Sequence, residues 1–177
     1  MNWIQTFTRR HFTPLDPKPG DVDIRDIAHS LSLQCRFNGH CRTFYCVADH
    51  SVRVSRIVPD HDALWGLMHD AAEAYLTDLP RPVKRQLTVF GDIEDKVLEV
   101  IAEVFGLQWP MPDSVHEADL RLLATEARDL MNVRPLDWGI DCETLQDTIE
   151  PLTPVEAEQA FLSRFNELTN GVGEELS

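Results

Sequence analysis

Leu64–Arg85 reads LWGLMHDAAEAYLTDLPRPVKR, and its reading decides the fold. The apolar spacing predicts a helix over about residues 61–76. In the middle of that stretch stand His69 and Asp70, two polar side chains able to bind metal. Upstream, VADHSVRVSRIV carries His50; downstream, HEADLRLLATEARDLM carries Asp119. In order these are His, then His-Asp, then Asp, on three predicted helices. Imidazole and carboxylate donors suit borderline or hard divalent ions such as zinc, cobalt, manganese or ferrous iron. Four such donors leave an octahedral ion two positions for water and substrate. Adjacent residues of a regular helix diverge by about 100°. His69 and Asp70 can therefore share an ion only if it sits between this helix and its neighbours. Glu73 falls one turn further on, on the same face.

Working outward, periodic apolar positions predict further helices near 24–36, 47–58, 92–106, 113–132 and 154–169. Asp23 stands where the first needs an N-cap, and Pro154 precedes an acidic first turn in the last. The opening stretch to about Gly20, with Pro14, Pro17 and Pro19, is expected to be irregular or a short hairpin, and the tail GVGEELS to be frayed. No internal repeat or linker divides the chain, so 1–177 reads as one all-α domain.

Composition narrows the classes. A chain of 177 residues with 43% hydrophobic and 26% charged residues is that of a soluble globular protein. No apolar run approaches the roughly 18 residues of a membrane helix, and MNWIQTFTRRHF lacks a signal-peptide core, so a cytoplasmic protein is expected. Cys35, Cys41, Cys46 and Cys142 fit neither a disulfide framework nor a paired CxxC zinc site, and read as reduced structural residues. A net charge of −14 argues against a broad nucleic-acid surface, but not against a small phosphorylated substrate held in one locally cationic pocket. No GxxxxGK[ST] loop or GxGxxG fingerprint is present to bind a nucleotide another way.

On His50, His69-Asp70, Glu73 and Asp119, followed by E-x4-D-L-P-x-P-V-K, the chain resembles the HD-domain metal-dependent phosphohydrolases. It is most similar to their small 5′-deoxynucleotidases and to the phage deoxyadenosine triphosphate triphosphohydrolases. The resemblance covers about residues 20–135 and implies a single HD-domain helical bundle. It implies one divalent ion held by His50, His69, Asp70 and Asp119, with Glu73 handling the proton of the attacking water and Asp78 contacting the sugar or supporting that acid. Arg36-Phe37 in QCRFNGHCRT matches an Arg-aromatic pair for the nucleotide, and Lys84 matches a phosphate contact. His40 and Arg42, in the same Gly-containing loop, are further substrate candidates; arginine's planar fork suits phosphate.

The implied reaction is hydrolysis of a deoxynucleotide at the α-phosphorus, releasing deoxynucleoside with phosphate or triphosphate; dATP or dAMP is the leading substrate. Relatives imply a homo-oligomer, a dimer or hexamer, in the cytoplasm (a host's, if the chain is phage-encoded). Two other readings stand beside it: an HD enzyme acting on another phosphoester, and a non-catalytic metal-binding scaffold. Each residue also has a plainer role open to it. Asp119 suits a solvated first turn, with Glu117 a nearby competitor; Asp78 suits a turn cap, and Lys84 an ordinary surface position. His29 and His116 are expected to be structural, and His61 exposed.

Overall fold

A computed structural model describes residues 2–170. The expected frayed tail, 171–177, lies outside the described residues. The chain is mostly helical. A two-stranded antiparallel hairpin, β1 (Ile4–Gln5) and β2 (His11–Phe12), opens it, pairing Ile4 with Phe12. Seven α-helices follow among the described residues: α1 Ile24–Leu33, α2 Val47–Ile57, α3 Ala63–Met68, α4 Arg81–Lys84, α5 Thr88–Phe105, α6 Asp113–Asp129 and α7 Pro154–Asn170. None is long and apolar enough to cross a membrane.

Local chemistry sets the ends. Asp23 caps α1, its carboxylate accepting from the Arg25 backbone N–H at 2.9 Å. The helix stops at Leu33, three residues earlier than expected, because Gln34 turns extended so that Cys35 can pair with Cys46 in an isolated antiparallel bridge. Helix α5 begins four residues earlier than expected and ends on Gly106, whose φ of +66° is a left-handed C-cap. The short α4 and the 3-10 turns Arg36–Gly39 and Pro135–Trp138 were not anticipated.

The largest departure falls on the deciding stretch. In place of one helix over 61–76, the chain forms a 3-10 turn at Asp60–Asp62, then α3, then a break at His69-Asp70, then a second 3-10 turn at Ala71–Ala74. Asp70 takes φ −101° and ψ 12°, the bridge region that interrupts regular helix. The tighter turn also eclipses residues three apart, which stacks Glu73 over Asp70.

The buried side chains form one continuous core with Ile27, Leu31, Leu67, Met68, Ile101, Leu122 and Phe161 wholly enclosed. A small satellite of Leu123, Ala124 and Ile140 carries Phe37 on its edge. Helices α2 and α3 pack closely, and their crossing requires glycine. A Cβ on Gly66 would lie 2.9 Å from the Ser55 Cα and 3.1 Å from its backbone N. Behind that crossing, Arg164 of α7 donates to the Ser55 carbonyl at 3.1 Å and to its Oγ at 3.2 Å, locking the last helix onto the same point.

Candidate metal centre

The α2–α3 crossing brings His50 against His69. His50, wholly buried on α2, donates from Nδ1 to Glu126 Oε1 at 2.7 Å. His69, just past α3, donates from Nδ1 to the Gly66 carbonyl at 2.9 Å; a carbonyl can only accept, so the tautomer is fixed. Both rings therefore turn Nε2 inward, and the two Nε2 atoms face each other at 3.2 Å. Asp119 Oδ1, from α6, lies 3.2 Å from His50 Nε2. Asp70 Oδ2 lies 3.2 Å from His69 Nε2 and 3.6 Å from His50 Nε2.

Two imidazole nitrogens and two carboxylates converging in this way require a positive charge between them. His50, His69 and Asp119 form the tightest group, their donor atoms all within 4.8 Å of one another; Asp70 joins it through the two histidines. The imidazole and carboxylate donors of that three-residue group suit a divalent cation of the zinc, cobalt or manganese kind. A proton is the competing occupant. Burial and Arg36 oppose charge on His50, but Glu126 and Asp119 carry its pKa up to about 9. Burial likewise opposes charge on Asp70 and Asp119, yet the histidines and Arg36 hold both carboxyls well below the usual range.

Glu126 is the residue the sequence reading missed. It is wholly buried, and besides His50 it accepts from the Arg36 guanidinium at 3.0 Å. Despite burial, Arg36 and His50 hold its carboxyl below the usual value. Such a carboxylate behind a ligating histidine fixes the ring and strengthens it as a donor. The available signal was a charged residue seven positions after Asp119, hence on the same face of α6, within the apolar run LLATEA.

The centre lies on the wall of a cleft of about 1060 Å³. Glu73 lines it, buried, with Oε2 lacking any partner; burial pushes its carboxyl well up, and Asp70 and Asp78 add to the effect. Asp78 also lines it, and burial raises its carboxyl too. Lys84 lines the cleft while paired with Glu94. Phe37 packs against Trp138, ring centroids 5.7 Å apart, and His40 is exposed at the rim.

Three expectations meet a different arrangement. Arg36 borders the cleft but is only 8% exposed, committed to Glu126 and, at 3.6 Å, to Asp70. Arg42 is not brought to this cleft. It lines a separate cavity of about 220 Å³, because Phe37, Asn38 and Gly39 all take positive φ and redirect the loop. His116 is exposed and lines the cleft, whereas His29 pairs with Glu158 at 3.1 Å and stacks on Phe7. His61 is exposed, as expected. Arg81, singled out by no sequence argument, reaches from α4 to Asp119 Oδ2 at 2.6 Å, and Arg85 lines the same rim.

Fold and site together define a mostly helical protein in which His50, His69 and Asp119 could hold a metal ion beside a cleft of about 1060 Å³. No family model matches the chain. It is 43% identical over 173 residues to the uncharacterized protein YfdR of Escherichia coli (strain K12), covering 96% of this chain and 97% of that one. It is 32% identical over 126 residues to the uncharacterized protein RCAP_rcc00048 of Rhodobacter capsulatus, covering 66% of this chain and 64% of that one. The chain belongs to the family of YfdR.

Proposed function

We propose that this protein is an HD-domain, metal-dependent phosphohydrolase that cleaves deoxynucleotides at the α-phosphorus. One observation carries the reading: His50 and His69, each with Nδ1 committed as a donor, oppose their Nε2 atoms at 3.2 Å between the Asp70 and Asp119 carboxylates. A buried cation socket on the wall of a large cleft is what water activation at a phosphate needs.

When bound there, a divalent ion lowers the pKa of a water and polarises a phosphate oxygen. The chain's own residues supply the rest. The cleft is lined by four cations (Arg36, Arg81, Lys84, Arg85) against six carboxylates (Asp70, Glu73, Asp78, Glu94, Asp95, Asp119). Without a bound cation that balance repels phosphate; a divalent ion brings the two to parity. Burial raises the carboxyls of Glu73 and Asp78, which favours their neutral forms and so lessens the repulsion an anion meets. Glu73 Oε2, buried and unpartnered, is the atom that takes or returns a proton. Lys84, Arg81 and Arg85 meet phosphate oxygens, while Arg36 holds Asp70 and Glu126 in place. Phe37, braced by Trp138, gives the base or sugar an apolar wall.

The test is product analysis on deoxy- and ribonucleoside mono- and triphosphates, dAMP and dATP first, with zinc, cobalt and manganese. Release of deoxynucleoside, with phosphate or triphosphate, is the expected result. Tight metal binding with no turnover of any nucleotide would overturn it in favour of a scaffold. Turnover confined to other phosphoesters would leave the metal chemistry and remove the substrate.

A further inference from the structure

Cys35 and Cys46 face each other at the neck of the loop that walls the cleft. Their isolated bridge is antiparallel, and its hydrogen bonds lie on either side of the pair. Arg36 N–H donates to the Tyr45 carbonyl at 2.9 Å, and Val47 N–H donates to the Gln34 carbonyl at 3.1 Å. The cysteines themselves exchange no backbone bond. They therefore occupy the narrow, non-hydrogen-bonded site of an antiparallel pair, where opposed Cα atoms stand about 4.5 Å apart with side chains on one face. A disulfide requires Cα atoms about 4.4–6.8 Å apart, so the backbone is already in range. Both thiols are free.

Exposure divides the work between them. Cys35 is exposed, while Cys46 is wholly buried at the N-cap of α2, four residues before His50. Burial holds the Cys46 thiol up to about 11, with Cys35 close enough to add to the effect. Cys35 is thus the sulfur that meets a reagent, and Cys46 the one that resolves the product.

We propose that Cys35 and Cys46 are a redox modification site that takes a low-molecular-weight disulfide as oxidant and closes to an intramolecular disulfide. The Cys35 thiolate attacks the reagent, forming a mixed disulfide and expelling one thiolate. The Cys46 thiolate then attacks the Cys35 sulfur, expelling the second. Two cysteine thiols are oxidised, one reagent disulfide is reduced to two thiols, and the protons leave on those thiols. The closed bond would tie the 36–39 turn, which carries Arg36 and Phe37, to the first turn of the helix that holds His50. The inference rests on backbone register and does not depend on which reaction the cleft performs.

The test uses full-length, metal-loaded protein incubated with glutathione disulfide. Free thiols are then blocked with iodoacetamide, and the digest is analysed by mass spectrometry. The expected product is a peptide joining Cys35 to Cys46, lighter by two hydrogens, reversed by dithiothreitol and absent from Cys35→Ser. Cys46→Ala should trap glutathione on Cys35; where that change disturbs the buried cap, the exposed Cys35→Ser variant alone serves as control. Glutathione retained on Cys35 in the wild type, a link from Cys35 to Cys41 instead, or closure only in denaturant would each overturn the proposal.

Discussion

Replacing Glu126 by glutamine separates the chemistry of the centre from its shape. The side chain keeps its length and can still accept from His50 Nδ1, now at 2.7 Å, but its charge is gone. Two costs follow. The first falls on the metal: losing the carboxylate behind a ligating histidine typically weakens binding by about 10–100-fold, or roughly 1.4–2.8 kcal/mol at about 1.4 kcal/mol per factor of ten. The second falls on Arg36, which loses its 3.0 Å ion pair and keeps only Asp70 at 3.6 Å. Breaking a buried pair costs about 3–5 kcal/mol when nothing replaces the partner. Here the amide oxygen still accepts and Asp70 remains, so a loss below that range, about 1–3 kcal/mol, is expected. Calorimetric titration with zinc or manganese reads the first cost, and urea unfolding of the metal-free protein reads the second. A variant that binds metal within threefold of wild type would refute the role given to Glu126. A drop in metal affinity far beyond 100-fold, with stability intact, would make Glu126 a ligand itself.

Glu73→Ala should keep the metal and lose turnover by about 10²–10⁴-fold, without loss of stability, because it removes a buried oxygen that has no partner; metal loss measured by elemental analysis would contradict this. Gly66→Ala should cost about 1–3 kcal/mol, since the new methyl meets Ser55 backbone and α3 must shift; unchanged thermal stability and metal content would show that the crossing can yield. Asp23→Ala should cost about 0.5–2 kcal/mol at neutral pH. Arg25, against the opposing effect of burial, holds the Asp23 carboxyl down to about 2. The cap's contribution is therefore complete above the unfolded value of about 4 and is lost as pH falls through about 2. Stability curves for the two proteins should be parallel above that window and converge within it.

The proposed ligands were legible because His69-Asp70 follow Leu67-Met68 and Asp119 stands between Ala118 and Leu120, while His50, flanked by Asp49 and Ser51, stood out by residue type and order alone. The break at Asp70 was not legible. Over a single turn, 3-10 and α-helical spacing bury the same residues, and only the backbone angles of Asp70 distinguish them. Glu126 escaped for another reason: its role exists only through a partner 76 residues away. Arg42 read as a neighbour of Arg36, but three successive positive-φ residues between them send it to a different cavity. Spacing conveys which face a residue shares; it does not convey where a loop of left-handed residues will point.

The chain order of these elements also sets when the pieces of the site are made. His50 and His69 are synthesised early, but the carboxylate that orients His50 and the one that completes the socket, Glu126 and Asp119, both lie on α6. Arg164, which locks the α2–α3 crossing through Ser55, comes later still, on α7. A nascent chain that has exposed only its first hundred residues holds His50, His69 and Asp70 but neither carboxylate of α6. On the proposed reading, the full donor set therefore assembles only after α6 has been made, and a chain truncated before α6 lacks both Asp119 and the carboxylate that orients His50.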